Sequence, residues 1–180
     1  AAPSGIVWGG IVADYMRIGI YTSVSSNNTQ STVNVQVWAW TKYSIDDTSN
    51  KYYYDNNATS ATTSQGSVTV KTTSNSGGWA EVNQVKIAES NYTYDRGTSA
   101  VTRSCAAKLS GIDYIGASHV MTCTTSYTIP ALQSYTVSYN ANGGSGAPSA
   151  QTKYYGKTLT LSSTKPTRSG YTFMGWSTTN

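Results

Sequence analysis

The fold of this chain is decided by residues 32–40, which read TVNVQVWAW. Small or branched apolar side chains alternate here with amides and indoles, which is the period-two pattern of a β-strand with one buried side. The inward residues are Val33, Val35, Val37 and Ala39, and the outward residues are Asn34, Gln36, Trp38 and Trp40.

Similar alternation extends in both directions from this stretch, at residues 16–24, 68–70, 101–109 and 121–127. Clusters of Ser, Asn, Asp and Gly separate these segments, at residues 25–28, 46–50, 55–57, 74–78 and 111–116. No segment has apolar residues at helical spacing over the length that a helix needs. The sequence therefore predicts an all-β chain whose residues 1–133 form an antiparallel, Ig-like β-sandwich.

A boundary follows at Pro130, because proline cannot donate to a strand ladder and commonly ends a strand. Residues 134–180 then form a second, small unit. Its predicted strands are residues 135–139, 157–161 and 171–176, with a glycine-rich turn at 140–148. A unit of this size lies near the lower limit for independent folding, so its few aromatic residues must supply the core.

Composition excludes several classes of protein. No apolar run approaches the roughly 18 residues of a membrane span, so no membrane insertion is expected. The net charge is +4, but the 12 Lys and Arg are scattered singly between Arg17 and Arg168. Such scattering allows a weak preference for anionic surfaces and does not predict a nucleic-acid partner.

The outward aromatic residues are the candidate ligand-binding groups. Two indoles on a polar strand face either stack on sugar rings or pack against a second sheet or subunit, and both alternatives stay open. The tyrosines of the run at 52–54 have the same ambiguity, with edge-strand packing as the alternative. The candidate stacking residues are Trp38, Trp40, Tyr52, Tyr53 and Tyr54.

Catalytic and metal chemistry find little support in the sequence. The eight acids occur in no recognisable motif, no Gly-x-Ser-x-Gly elbow is present, and the sole histidine, His119, shares the parity of its strand's apolar residues. The Asp-rich turn at 46–50 lacks the glycine and glutamate of an EF-hand, so no metal or other cofactor is predicted. A hairpin turning at 111–116 would place Cys105 opposite Cys123, either as a disulfide or as two buried thiols.

The second unit carries motifs that resemble a known family across its whole length. They are YNANGG at 139–144, the segment at 156–161, and PTRSGYTF at 166–173 leading to Gly175 and Trp176. This pattern looks like the Listeria-Bacteroides repeat of the internalin B-repeat type. The resemblance implies a β-grasp-like extracellular module that serves bacterial surface proteins and phage proteins as a spacer or adhesive element.

The first unit is similar to minor structural and tail-fibre-like proteins of phages that infect Gram-positive bacteria. The similarity rests on the turn at 26–29, the segments at 41–45 and 97–101, and the closing YTIP at 127–130. It implies a non-enzymatic virion protein of the tail, baseplate or fibre that contributes to host attachment. The implied partners are other virion proteins, copies of itself and host cell-wall glycans. A secreted or wall-attached bacterial adhesin is the alternative.

Overall fold

A computed structural model describes residues 2–12, 16–41, 53–54, 59–63, 66–70, 84–114 and 117–178. This described part contains β-strands and no helix, which confirms the all-β prediction. Accordingly, no helix capable of crossing a membrane is found within these ranges. The strands are β1 (Val7–Trp8), β2 (Met16–Ser26), β3 (Gln30–Thr41), β4 (Tyr53–Tyr54), β5 (Thr59–Thr63), β6 (Gly66–Val70), β7 (Gln84–Asp95), β8 (Val101–Tyr114), β9 (Ala117–Ile129), β10 (Ser134–Val137) and β11 (Gln151–Tyr154).

Two antiparallel sheets make up the first unit. The first sheet has the order β1-β2-β3-β7, and the second contains β4, β5, β6, β8 and β9, with β8 pairing β4, β5 and β9. The inward side chains of both sheets form one apolar cluster. In β3 these are the four residues that alternation predicts, since Val33, Val35, Val37 and Ala39 are all at most 2% exposed.

The edge strand β1 brings the first sheet close to β9 of the second. A Cβ atom on Gly9 would lie 1.9 Å from the backbone oxygen of Thr122, so only glycine permits this approach. Nearby, the Sγ of Cys123 donates a hydrogen bond to the backbone oxygen of Val7 at 2.9 Å. These contacts join the two sheets at the edge strand β1.

The hairpin of β8 and β9 corrects the predicted placement of the cysteines. Cys105 pairs with Thr125, and Cys123 pairs with Ala107, so the two cysteines are diagonal neighbours and do not face each other. Strand β8 also continues through 111–114, where a turn was predicted, and a register shift lies between Leu109 and Ile112. Both thiols are free and buried.

The second unit has fewer strands than the sequence predicts. Among residues 134–178, only β10 and β11 pair as strands, and one isolated bridge joins Ser145 to Thr167. The strands predicted at 157–161 and 171–176 are wrong, because both segments lie outside any ladder. Gly156 and Gly170, with φ angles of 68° and 78°, belong to the turns that precede these two segments, and Gly175, with a φ of 151°, interrupts the extended backbone within the second.

The connection between the two units, residues 130–133, is hydrogen-bonded to both of them. The guanidinium of Arg96 donates to the backbone oxygens of Asn27, Pro130 and Ala131, and so ties the β2–β3 turn to the connection. The amide of Leu132 donates to Gly97 O at 2.8 Å, and its side chain is 5% exposed. On the other side, the amide of Tyr155 donates to Gln133 O at 2.8 Å.

Candidate binding face on the first sheet

The outward face of the first sheet gathers three tryptophans from two strands. Trp8 pairs with Gly19, Gly19 pairs with Trp38, and Arg17 pairs with Trp40. Directly paired residues point to the same side of a sheet. Trp8, Arg17, Trp38 and Trp40 therefore share the face opposite the core, and we call these four half-buried residues the tryptophan face.

Arg17 fixes the arrangement of two of the indoles. Its guanidinium carbon lies 4.8 Å from the ring centroid of Trp8 and 4.8 Å from that of Trp40. Both distances fall within the range of a cation–π contact. One cation thus links the edge strand β1 to the third strand of the sheet, and it contacts both rings through their faces.

Gly19 creates the space that Trp8 occupies. A Cβ atom at this position would lie 2.7 Å from Cε3 of the Trp8 ring and 2.5 Å from a methyl carbon of Ile6. Both distances are shorter than carbon contacts allow, so any side chain here must displace the side chains of Ile6 and Trp8. The glycine therefore lets the indole lie directly against the backbone of β2.

A row of amides continues the face beyond Trp38. Trp38 Nε1 donates to Gln36 Oε1 at 2.9 Å, and Gln36 Nε2 donates to Asn34 Oδ1 at 2.9 Å. Asn34 Nδ2 in turn donates to Glu89 Oε1 at 2.8 Å and to Asn91 Oδ1 at 2.9 Å. We call Asn34, Gln36 and Asn91 the amide row. The hydrogen bonds fix the orientation of each amide beside the indoles.

A bulge in β7 supplies the charged end of this row. Val37 pairs with Ala88 but Trp38 pairs with Lys86, so Ile87 is the additional residue on β7. Residues three apart in a regular strand point to opposite faces, and the bulge brings Lys86 and Glu89 to the same face. They form an ion pair there. The hydrogen bond from Lys86, followed by that from Asn34, holds the pKa of Glu89 below its ordinary value.

The structure places four of the five candidate stacking residues, and it divides them between two sheets. Trp38 and Trp40 share the tryptophan face, whereas Tyr53 and Tyr54 belong to β4 of the second sheet, where they pair with Asp113 and Ile112. Tyr52 lies outside the described residues. Tyr53 and Tyr54 therefore belong to a different sheet from the two tryptophans.

Trp8 and Arg17 are the members of the face that sequence alternation does not single out. Strand β1 has two residues, which is too short to display a period. A usable signal exists in Gly19, since a glycine inside a strand pattern indicates a close approach of another group. Arg17 directly across from an outward tryptophan is a second signal, once the register is known.

Two carboxylate side chains are described, those of Glu89 and Asp95, and they lie far apart on one strand. Glu89 and Asp95 are six residues apart on β7, a separation of about 20 Å in an extended strand, whereas paired glycosidase carboxylates lie about 5–9.5 Å apart. Asp95 accepts a hydrogen bond from Gln30 at 3.0 Å. In the described ranges, no three His, Cys, Asp or Glu side chains gather as a metal site would require.

The fold and this face define an all-β protein with an aromatic and amide surface, joined to a small second unit. Residues 135–180 match the family model of the Listeria-Bacteroides repeat domain, which confirms the predicted identity of that unit. No curated protein and no solved structure matches the chain. The similarity of residues 1–133 to phage structural proteins therefore stays a prediction.

Proposed function

We propose that this protein is a non-enzymatic attachment protein, a structural component of a phage virion exposed on the tail, baseplate or fibre, which binds host cell-wall glycans through the tryptophan face. The observation that carries the proposal is the combination on one sheet face of indoles held by Arg17 with a row of oriented amides. Indole rings stack on the apolar faces of sugars, and amides exchange hydrogen bonds with sugar hydroxyls.

The geometry favours weak and repeated binding over one tight site. The residues of the face are half-buried members of a sheet surface, so a saccharide stacked on them would keep much of its hydration. Multivalent display on a symmetric particle converts such weak contacts into firm attachment, because later contacts form at high effective concentration. Copies of this chain and other virion proteins are the partners that such display requires.

The proposal is tested by binding of fluorescently labelled protein to a panel of Gram-positive cells, before and after removal of wall polysaccharides. We expect Trp38→Ala and Trp40→Ala each to weaken saccharide-dependent binding about tenfold, equivalent to about 1.4 kcal/mol. The matched control is Tyr135→Ala, which removes an exposed aromatic side chain from the second unit. Binding that survives polysaccharide removal, or that falls equally in the control, contradicts the proposal.

A secreted or wall-attached bacterial adhesin is the second candidate. The match of residues 135–180 to the Listeria-Bacteroides repeat favours it, because this repeat is a generic extracellular module. Both candidates use the same face, so they differ in where the protein resides. Antibody labelling of purified phage particles supports the virion candidate, and labelling confined to bacterial walls supports the adhesin.

A further inference from the structure

The net charge of the chain is confined to its second unit. Residues 1–133 contain eight of the 12 Lys and Arg and all eight Asp and Glu, so they are formally neutral. Residues 134–180 contain Lys153, Lys157, Lys165 and Arg168 and no acidic residue, which gives this unit the entire net charge of +4. No carboxylate side chain within the repeat can neutralise these cations.

A cavity of about 270 Å³ lies beside one of these cations. It is bounded by the turn at 140–142 and by residues 166–168 and 171–177. The lining residues include Arg168, Tyr171, Trp176, Asn140 and Asn142. Tyr171 is 67% exposed, so the cavity opens to solvent beside an aromatic face.

The guanidinium of Arg168 is held in place at this cavity. Its carbon lies 4.1 Å from the ring centroid of Tyr171, and its Nη1 donates to Asn142 O at 3.1 Å. Gly143 also lies close, since a Cβ atom there would be 3.5 Å from the guanidinium carbon. An arginine has five N–H donors, and within the described part of the chain one N–H of Arg168 donates a hydrogen bond.

We propose that this cavity binds the anionic groups of a polyhydroxylated polymer, with Arg168 as the anion-binding residue. A restrained guanidinium matches the paired oxygens of a phosphodiester or a carboxylate. The ring of Tyr171 and the two asparagine amides suit the carbon chain and hydroxyls that carry such a group. The excess positive charge of the repeat draws the polyanion toward the cavity, and added salt weakens this attraction.

This site is independent of the tryptophan face. It belongs to a different unit, and it selects charge where the tryptophan face selects sugar rings. Trp40→Ala is therefore expected to leave polyanion binding unchanged, and substitution of Arg168 is expected to leave binding of neutral saccharides unchanged. Failure of one proposal is thus distinguishable from failure of the other.

The test is fluorescence titration of the full chain with three soluble polymers: a glycerol-phosphate polymer, polygalacturonate and neutral dextran. The two polyanions distinguish phosphate from carboxylate as the preferred group. We expect at least one polyanion to bind and dextran not to bind at this site. We expect Arg168→Gln to weaken that binding about tenfold. Arg168→Lys should restore only part of it, since lysine keeps the charge but lacks the paired N–H donors of a guanidinium.

Lys157→Gln is the matched control, because it removes the same charge from an exposed residue of the repeat that does not line the cavity. We expect it to change the affinity less than about twofold. Tyr171→Ala keeps the charge and tests the stacking contact, and thermal unfolding verifies that each variant is folded. Equal losses for Arg168→Gln and Lys157→Gln, no binding of either polyanion, or equally strong binding of a single-stranded oligonucleotide would overturn the proposal.

Discussion

The sandwich and the repeat satisfy their backbones by different means. In the sandwich, strands of 11 to 14 residues pair in long ladders, and alternate side chains enter one core. The repeat has two strands of four residues each. There, side chains replace the missing ladder: Ser162 N donates to Tyr139 Oη at 2.9 Å, and Trp176 Nε1 donates to Ser162 O at 3.1 Å.

This difference changes how much depends on a single residue. A ladder distributes backbone pairing over many residues, so loss of one side chain leaves the strand in place. In the repeat, one tyrosine hydroxyl and one indole hold backbone groups that no strand partner satisfies. The repeat should therefore be more sensitive than the sandwich to substitution of one aromatic residue.

The largest expected effect is that of Trp176→Ala. The indole packs 4.6 Å from Tyr139 and 5.0 Å from Phe173, between ring centroids, and it also donates to Ser162 O. Its removal is expected to cost about 3–5 kcal/mol, which equals the whole stability that so small a core supplies. The NMR amide signals of residues 134–178 should collapse while those of β2 and β3 persist.

Met174→Ala is the control for that variant, because Met174 is 92% exposed in the same segment. It should leave the repeat folded. A Trp176→Ala protein whose repeat signals stay dispersed would show that the side-chain contacts are less important than the comparison with the sandwich implies.

The second effect concerns the connection between the units. Arg96→Met removes charged hydrogen bonds to three backbone oxygens, those of Asn27, Pro130 and Ala131. We expect a loss of about 2–3 kcal/mol, because carbonyls left without partners carry a desolvation cost. Hydrogen exchange at the Leu132 amide should accelerate, whereas Lys108→Met, an exposed change on β8, should leave it unchanged. Unchanged exchange in Arg96→Met would contradict a fixed connection.

The third effect tests the edge of the sandwich. Gly19→Ala places a methyl group 2.5 Å from a methyl carbon of Ile6 and 2.7 Å from the Trp8 ring, so these side chains must move. Overpacking of this kind costs about 2 kcal/mol. The displacement should alter tryptophan fluorescence and weaken saccharide binding, with the repeat unaffected. Gly10→Ala is the control, since a Cβ atom there meets nothing within 4 Å. Equal behaviour of the two variants would argue against a tight fit of Trp8.

The same contrast explains what the sequence can predict. Period-two alternation identifies β3 because a single buried face determines every second residue. It misses β7, where the bulge at Ile87 puts consecutive residues, Ile87 and Ala88, against the core and breaks the period.

The repeat is recognised by its motifs, but its strands are not predicted. Its extended segments read like strands although their hydrogen bonds go to side chains, as Ser162 shows. The candidate site is predicted in part for a similar reason. Trp38 and Trp40 follow from the alternation of β3, whereas Trp8 joins them only through the register of a two-residue strand.

The smallest expected effect is a loss of folding stability at high pH. Only the sandwich should show it, because both buried thiols lie there. Burial, followed by the proximity of Cys123, raises the pKa of Cys105 to about 11 from an ordinary value of 9.0. The pKa of this thiol is higher in the folded than in the unfolded state, so the unfolded chain loses the proton first. The contribution of the thiol to folding stability is therefore fully present below pH 9.0 and is lost as the pH rises toward 11. At pH 10 the expected loss is on the order of 1 kcal/mol.

Burial also raises the pKa of Tyr127, whose hydroxyl is hydrogen-bonded to Tyr94, so the wild-type sandwich should lose further stability at higher pH. Denaturant unfolding at pH 8 and pH 10 isolates the contribution of Cys105 when Cys105→Ala is compared with the wild type. The variant retains the tyrosine pair but has no thiol at position 105, so its loss between these pH values should be smaller. An identical loss in both proteins would mean that Cys105 is not desolvated in the folded state.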